Sequence, residues 1–171
     1  MLDLAKRIKE ISELRGKFTL KSGKVSDVYF DKYKFESDPE LLREIADKMK
    51  ALIPSDTAVL AGLEMGGIPI VTALSQTTGI PAAFVRKEAK KYGTRKRAEG
   101  ADLSAGKIVL VEDVVSTGGA LLDASRWMRE EGFEAGLAIC VIDRQTGGAE
   151  NLGKEGIKLL SLFTRKDISG E

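Results

Sequence analysis

Apolar residues recur along this chain with two different periods. In residues 2–14 they return every three or four positions, which is the spacing of an amphipathic helix. From residue 40 onward, unbroken apolar runs alternate with further segments of helical spacing. The runs predict strands at 57–62, 81–85, 107–112, 133–142 and 157–163, and the helical segments are 39–52, 66–78 and 119–131. This alternation predicts an α/β fold in which helices flank a parallel sheet through right-handed crossovers.

Two segments do not fit this alternation. Residues 18–34 look extended around a turn at Gly23, so we expect residues 1–35 to form an N-terminal helix and a small hood beside the α/β core of residues 36–171. Residues 86–106 are charged and punctuated by glycine, which predicts a long loop between two buried strands. A loop of that length inside a compact domain is usually functional. We expect a single domain over the whole chain.

The composition narrows the chemistry that this domain can perform. The chain has 171 residues, a formal net charge of +1, one cysteine and no histidine. The balance of charge gives no global field for a nucleic acid or a membrane surface, and no apolar run has the length of a membrane span. Without histidine, Ser-His-Asp triads and histidine-bound zinc are excluded. Cys140 lies in an apolar run and has no disulfide partner, so we expect a buried thiol in a cytoplasmic protein.

The most informative segment is residues 108–120, whose sequence is IVLVEDVVSTGGA. An apolar run leads into the carboxylates Glu112 and Asp113, then into a loop rich in hydroxyls and glycine, and then into a helix. In an open α/β sheet, ligands bind beyond the carboxyl ends of the strands, and the start of a helix binds phosphate. Paired carboxylates beside it could hold a metal ion or sugar hydroxyls. The pattern indicates a phosphorylated sugar, against the alternative of a strand, turn and helix whose acids are merely solvated.

Basic residues crowd into the loop of residues 86–100, where they outnumber Glu88 and Glu99: Arg86, Lys87, Lys90, Lys91, Arg95, Lys96 and Arg97. A charge run is usually a solvated face. This run lies between two predicted buried strands, on the side where ligands bind, so it could close on a pyrophosphate and exclude water. A nucleic-acid patch is the alternative, which is weaker because Tyr92 is the only aromatic residue of the loop.

The string at 108–120 resembles the phosphoribosyl diphosphate (PRPP) motif of the type I phosphoribosyltransferases, which implies the fold of that family. By this resemblance, Glu112 and Asp113 hold the ribose hydroxyls, and the loop that follows them surrounds the 5′-phosphate. The PRPP-binding residues that the resemblance implies along this string are Glu112, Asp113, Val114, Val115, Ser116, Thr117, Gly118, Gly119 and Ala120.

Two further segments are similar to the orotate phosphoribosyltransferase branch of this family. The first is the basic loop, which begins with R-K-E-x-K. The second is the N-terminal segment, in which the motif F-x-L-K-S-G precedes the motif S-x-x-Y-F-D. The resemblance implies that Arg86, Lys87 and Lys90 reach the diphosphate of PRPP across a dimer interface. It also places Lys21 and Tyr92 at PRPP. Many members have histidine where this chain has Tyr92, and a tyrosine is not a proton shuttle at neutral pH.

The same resemblance implies a pocket for the base. Tyr29, Phe30 and Ser116 would contact the pyrimidine, and Arg144 would bind the carboxylate that distinguishes orotate from uracil, since the guanidinium fork suits a carboxylate. Without the resemblance, the two aromatic residues indicate only a buried hairpin, and the arginine indicates only a surface ion pair. The glycine turn at 62–69 resembles the diphosphate-binding turn of the family, with Gly66 where some members have lysine.

The implied reaction transfers the 5-phosphoribosyl group from PRPP to orotate, which gives orotidine 5′-monophosphate and diphosphate in pyrimidine nucleotide (UMP) biosynthesis. The resemblance makes Lys87, Lys90 and Asp113 the catalytic residues. It implies Mg²⁺ as the cofactor, held mainly by PRPP rather than by protein side chains, and a homodimer that shares its active-site loop. Two alternatives remain open: a phosphoribosyltransferase for another base, and a non-catalytic regulator that senses PRPP.

Overall fold

The structure is a computed structural model that describes residues 2–19, 23–90 and 96–170. Lys21 and Tyr92, which the resemblance assigns to PRPP, lie outside the described residues. The strands are β1 (Glu13–Thr19), β2 (Val25–Phe30), β3 (Thr57–Leu63), β4 (Ala82–Val85), β5 (Ala98–Gly100), β6 (Lys107–Val115), β7 (Leu137–Asp143) and β8 (Lys158–Thr164). The α-helices are α1 (Leu2–Ser12), α2 (Tyr33–Glu36), α3 (Pro39–Met49), α4 (Gly67–Thr78), α5 (Gly119–Glu130), α6 (Gly148–Lys154) and α7 (Arg165–Ser169).

Six strands form one sheet in the order β5-β4-β3-β6-β7-β8. Neighbouring strands are parallel except for β4 and β5, which are antiparallel. The residues of β6 alternate between the two faces of the sheet. Val109 and Val111 join one apolar cluster with α1, α3 and α4, whereas Ile108 and Leu110 join the other cluster with α5 and α6. The predicted α/β fold, a parallel sheet flanked by helices, is confirmed. Cys140 is buried in β7, as expected.

The N-terminal residues contribute both to a hairpin and to the core. β1 and β2 form a separate antiparallel hairpin, whereas α1 buries Leu4 and Ile8 in the apolar cluster beneath the main sheet. The prediction that residues 33–34 are extended is wrong, because they begin α2. The Asp31 carboxylate accepts the backbone N–H of Tyr33 at 3.2 Å, and the fully buried Phe35 holds this turn against the core.

The sequence does not predict several short strands and helices that the structure contains. Residues 86–106 are not one continuous loop, since Ala98–Gly100 pairs with β4 and Leu103–Ala105 forms a 3-10 turn. The helices α6 and α7, which follow the last two strands, were also not predicted. α7 begins at a capping box in which Thr164 and Asp167 bind each other's backbone N–H. None of the helices in the described ranges combines the length and the apolar character that crossing a bilayer requires.

Candidate active site

The acidic pair lies near the carboxyl end of β6, inside the strand rather than after it. β3 stays paired with β6 only as far as Gly62 and Val111, whereas β7 stays paired with β6 up to Val115. β6 therefore carries its two acids beyond the last pairing with β3. Glu112 is 8% exposed and Asp113 is 1% exposed, so the alternative of solvated acids is wrong.

Two charged residues that the sequence analysis missed join these acids in a buried charge cluster, which comprises Lys32, Glu36, Glu112 and Asp113. Lys32 Nζ lies 2.6 Å from Asp113 Oδ2. Glu36, one helical turn further on, is 5% exposed, and Asp113 is the side chain that acts most strongly on its carboxyl. The spacing of four residues between Lys32 and Glu36 is a signal only if α2 is recognised as helical. The four-residue α2 is too short for its periodicity to reveal it.

Burial and the interactions among its members together set the ionisation of this charge cluster. It raises the pKa of Glu112 well above its usual range, and the charge of Asp113 adds to the rise. Burial also acts to raise the pKa of Asp113, but contacts with Glu36, Glu112 and Lys32 outweigh it and lower that pKa. For Lys32, burial acts to lower the pKa, and the interactions with Asp113 raise it overall. Asp113 is therefore the ionised carboxylate of the cluster, with Lys32 as its counter-ion.

The glycine turn of residues 62–69 packs directly on the charge cluster. A Cβ atom at Gly66 would lie 1.8 Å from Asp113 Oδ2, and one at Gly67 would lie 2.5 Å from the carbonyl oxygen of Val111. Distances this short force the neighbouring atoms to move, so only glycine fits at these two positions without rearrangement. The structure thus brings together the two strand ends that the resemblance assigns to the diphosphate and to the ribose.

The loop of residues 116–119 joins β6 to α5 in the order that the sequence predicts. Gly118 has a φ of 79°, a left-handed conformation that favours glycine, and the helix starts at the next residue. Asn151 of α6 donates from Nδ2 to the Thr117 carbonyl at 3.1 Å, which holds the loop against the neighbouring helix. Thr117 and Gly119 are exposed. The first backbone N–H groups of α5 are therefore open to an anion, which the helix dipole favours.

A cavity of about 520 Å³ lies between the hairpin and the carboxyl ends of β6 and β7. Apolar side chains line about half of it, and all but one of its charged side chains are basic. The lining residues are Lys9, Glu13, Val28, Phe30, Val114, Ile142, Arg144, Arg165, Ile168 and Ser169. Phe30 and Arg144, which the resemblance assigns to the base, share this cavity. Tyr29 and Ser116 do not line it. Successive residues of β2 face opposite sides, so the Tyr29 ring packs instead 5.5 Å from the ring of Phe18.

Arg165 is a second arginine of this cavity, and the sequence analysis did not identify it. Asp143 and Thr164 pair directly at the ends of β7 and β8, so Arg144 and Arg165 follow them at equivalent positions. Neither guanidinium has a partner in the part of the chain that the structure describes. Two unpaired guanidinium groups at one cavity suit an anionic ligand.

The basic loop is anchored at both of its ends. The backbone N–H of Lys87 donates to Glu64 Oε1 at 2.7 Å, at the edge of the glycine turn. At the other end, Arg97 pairs with Asp123 of α5 and donates from Nε to the carbonyl of Arg86 at 3.0 Å. Arg97 is therefore a structural anchor of the loop rather than a residue available to a ligand.

The three loop residues that the resemblance assigns to the diphosphate have different surroundings. The ammonium of Lys90 is paired with the Glu99 carboxylate. The side chains of Arg86 and Lys87 are exposed and form no hydrogen bond or ion pair within residues 2–19, 23–90 and 96–170. The hydrogen bond of Lys90 and, in addition, the charge of Arg86 lower the pKa of Glu99. Arg86 and Lys87 can meet an anion without breaking a hydrogen bond or an ion pair, whereas Lys90 must first release Glu99.

Comparison with known proteins places this arrangement in a family. The family model for the phosphoribosyl transferase domain matches residues 34–158. An orotate phosphoribosyltransferase of Nocardioides sp. is 46% identical over 165 residues, which are 96% of this chain and 92% of that relative.

Solved structures agree with this match. The crystal structure of Mycobacterium tuberculosis orotate phosphoribosyltransferase with Fe(III) dicitrate superposes with a TM-score of 0.88 at 31% identity, over 98% of this chain and 97% of that chain. The same enzyme in complex with PRPP gives a TM-score of 0.84 at 29% identity, over 98% of both chains. The chain therefore belongs to the phosphoribosyltransferase family and, within it, to the orotate phosphoribosyltransferases.

Proposed function

We propose that this chain transfers the 5-phosphoribosyl group from PRPP to orotate, with release of diphosphate. The observation that carries the proposal is that the end of β6 adjoins three sites of different character. The open first turn of α5 suits the 5′-phosphate, the buried charge cluster suits the ribose hydroxyls, and the cavity with Arg144 suits the base. Relatives named as orotate phosphoribosyltransferases, one of them solved with PRPP, support this choice of substrates.

The mechanism follows from the charges that form during the reaction. Breaking the bond between the anomeric carbon and the diphosphate leaves positive charge on the sugar and negative charge on the leaving group, so catalysis rests on positioning and electrostatic stabilisation. Ionised Asp113 holds a ribose hydroxyl and places negative charge near the developing cation. Lys87 and Lys90 neutralise the departing diphosphate. Orotate is already an anion and attacks from the opposite face, so the anomeric configuration inverts and no histidine base is needed.

Mg²⁺ is part of this proposal. Among the described residues, no three aspartate, glutamate, cysteine or histidine side chains form a group that could hold a metal ion. The proposal is that the oxygen ligands of Mg²⁺ come largely from PRPP, as in other sites where the ion is bound through substrate phosphates. When bound, the ion supplies charge neutralisation at the diphosphate.

The proposed function is tested by the loss of orotate absorbance in the presence of PRPP and Mg²⁺, beside parallel assays with uracil, adenine, guanine and xanthine. Turnover with orotate alone is expected. Turnover with another base would contradict orotate as the substrate, but it would not contradict the proposed PRPP site. Saturable PRPP binding without turnover of any base would indicate a PRPP-sensing regulator instead.

Arg144→Gln is expected to raise KM for orotate by roughly 10- to 100-fold, because a charge-assisted pair with the orotate carboxylate is lost. KM for PRPP should change little, since the loop of residues 116–119, which is proposed to bind the 5′-phosphate, does not line the cavity. Initial rates at varied orotate and PRPP measure both constants. Arg126→Gln is the matched control, because Arg126 lies on the exposed side of α5 and pairs with Glu155. Equal KM values for orotate in the two variants would contradict the role of Arg144.

We also propose that the enzyme is a homodimer in which the basic loop acts in the partner's active site. The exposed side chain of Lys87, without a partner among the described residues of its own chain, supports this arrangement. So do exposed apolar residues on the hairpin and the glycine turn, among them Val25 and Met65.

Mixing equal amounts of inactive Lys87→Ala and Asp113→Asn proteins, and letting the dimers dissociate and reassociate until exchange is complete, is expected to restore activity. Random reassociation makes half of the dimers mixed, and one of the two sites in each mixed dimer is intact, so about a quarter of the unmodified activity should return. Steady-state rates before and after mixing measure the recovery, and sedimentation velocity verifies that dimers re-form. If dimers exchange and no activity returns, the loop acts within its own subunit.

A further inference from the structure

Glu36 has no part in the reaction as described above, yet it is buried against the acid that the reaction uses. It is 5% exposed, and neither of its carboxyl oxygens has a hydrogen-bond donor among the described residues. Among neighbouring side chains, Asp113 acts most strongly on the Glu36 carboxyl, and Asp113 Oδ2 is likewise buried without a hydrogen-bond donor. An ionised carboxylate that is buried without a donor is strongly disfavoured. The position of Glu36 therefore requires an explanation.

Two carboxyl groups can share a hydrogen bond only if one of them carries a proton. Asp113 is the better site for the negative charge, because Oδ1 accepts the backbone N–H of Val114 and Lys32 Nζ lies 2.6 Å from Oδ2. A carboxylate oxygen has two lone pairs, so Oδ2 can accept a hydrogen bond from another group beside its ion pair with Lys32. The shared proton therefore belongs to Glu36.

We propose that Glu36 is a positioning residue that remains protonated and donates a hydrogen bond to Asp113, which keeps Asp113 ionised and oriented toward the ribose hydroxyls of PRPP. The inference rests on the proposed function, which assigns Asp113 to the ribose. Lys32 alone would hold Asp113 Oδ2 through a long and flexible side chain. The shorter, buried side chain of Glu36 fixes the orientation of the Asp113 carboxylate instead.

The charges around Glu36 are consistent with this protonation. Burial, followed by the hydrogen bond with Asp113 and the charge of Asp113, raises the pKa of Glu36 to about 9, against an opposing effect of Lys32. Glu112 is the other acid that acts on it. The helices α1 and α3 also pack against α2, but their charged side chains are exposed or engaged elsewhere, as Arg7 is with Glu44 at 2.7 Å.

Two substitutions of Glu36 separate the effect of its hydrogen-bond donor from the effect of its negative charge. Glu36→Gln keeps the shape and an N–H donor but cannot ionise, whereas Glu36→Leu removes the donor. PRPP binding is measured by calorimetry in the presence of Mg²⁺, without orotate, across neutral to alkaline pH. Glu40→Gln is the matched control, because Glu40 is an exposed acid in the first turn of α3. Circular dichroism verifies that each variant is folded.

At neutral pH, Glu36→Leu is expected to weaken PRPP binding by about tenfold or more, the cost of a lost hydrogen bond to a charged group, whereas Glu36→Gln binds PRPP far more tightly than Glu36→Leu. In the unmodified chain, binding should weaken as the pH rises through about 9, since ionised Glu36 stops donating and repels Asp113. This alkaline loss should be absent from Glu36→Gln and present in Glu40→Gln.

Two results would overturn the inference. One is an alkaline loss of PRPP affinity that is identical in Glu36→Gln and the unmodified chain. The other is a folded Glu36→Leu protein whose PRPP affinity equals that of the unmodified chain. Absence of PRPP binding to the unmodified chain would instead overturn the proposed function, and this inference with it.

Discussion

Replacing Gly66 by alanine is expected to lower kcat/KM for PRPP by about 100-fold or more. The added Cβ would lie 1.8 Å from Asp113 Oδ2, so the carboxylate or the glycine turn must move. Asp113 is 1% exposed, its Oδ1 accepts the backbone N–H of Val114 and its Oδ2 is paired with Lys32, so a displacement of the carboxylate disturbs both contacts. A displacement of about 1 Å at a catalytic group can cost two orders of magnitude in rate.

Gly153→Ala is the matched control for this prediction. Gly153 lies in α6 with no atom within 4 Å of an added Cβ, so alanine should fit there and support the helix. Initial rates at varied PRPP and thermal unfolding are measured for both variants. If the Gly66→Ala protein folds and keeps a kcat/KM close to that of Gly153→Ala, the packing of the glycine turn on Asp113 does not control catalysis.

The close approach of Gly66 to Asp113 also gives a physical reason for glycine at this position of the turn. The resemblance implies a lysine at the position of Gly66 in some members of the family, so the sequence alone presents the glycine only as a missing cation. In the structure, Asp113 Oδ2 occupies the place where a side chain at this position would begin. The glycine is thus coupled to the position of an acid that is 47 residues away in sequence, and such a coupling has no local signal.

The main elements of the fold were predictable because their signals are local. Val109, Leu110 and Val111 form a run that is buried on both faces, and this is the pattern of a central parallel strand. β5 has no such signal. Its three residues, Ala98–Gly100, have little strand propensity, and they are extended because the edge of β4 offers unpaired backbone groups. α6 and α7 are too short for helical periodicity to stand out.

The candidate site was predictable in part for the same reason. Glu112, Asp113 and the loop of residues 116–119 are contiguous in sequence, so one motif predicts that they lie together at the end of β6. Lys32 and Arg165 reach the site from segments far from that motif, and only the tertiary fold reveals them. The position of Tyr29 outside the cavity could have been predicted from the sequence. Alternation along a strand already implies that Tyr29 and Phe30 face opposite sides of β2.

The second large effect is expected for Lys87→Ala, which should lower kcat by roughly 100- to 1000-fold and change the Kd for PRPP much less. Negative charge on the diphosphate grows as the bond to the sugar breaks, so a cation that meets it acts more strongly in the transition state than in the ground state. The backbone of Lys87 is fixed by its N–H bond to Glu64 Oε1 at 2.7 Å, while its ammonium is unpaired among the described residues.

Lys158→Ala is the matched control for Lys87→Ala. Lys158 is an exposed lysine at the amino end of β8, at the opposite end of the sheet from the site, so its removal takes away one positive charge without touching the active site. Single-turnover rates and calorimetric Kd values for PRPP separate the chemical step from binding. Lys87→Arg should recover part of the rate, because the charge is kept although its shape changes.

The kinetic constants distinguish two roles for Lys87. A fall in kcat with nearly constant Kd means that the ammonium acts mainly on the departing diphosphate, as proposed. A rise in KM and Kd at unchanged kcat would mean that it stabilises bound PRPP and the transition state equally, and Lys87 would then be a binding residue only. In that case the electrostatic stabilisation of the leaving group would fall to Arg86, which is exposed beside it, and to Mg²⁺.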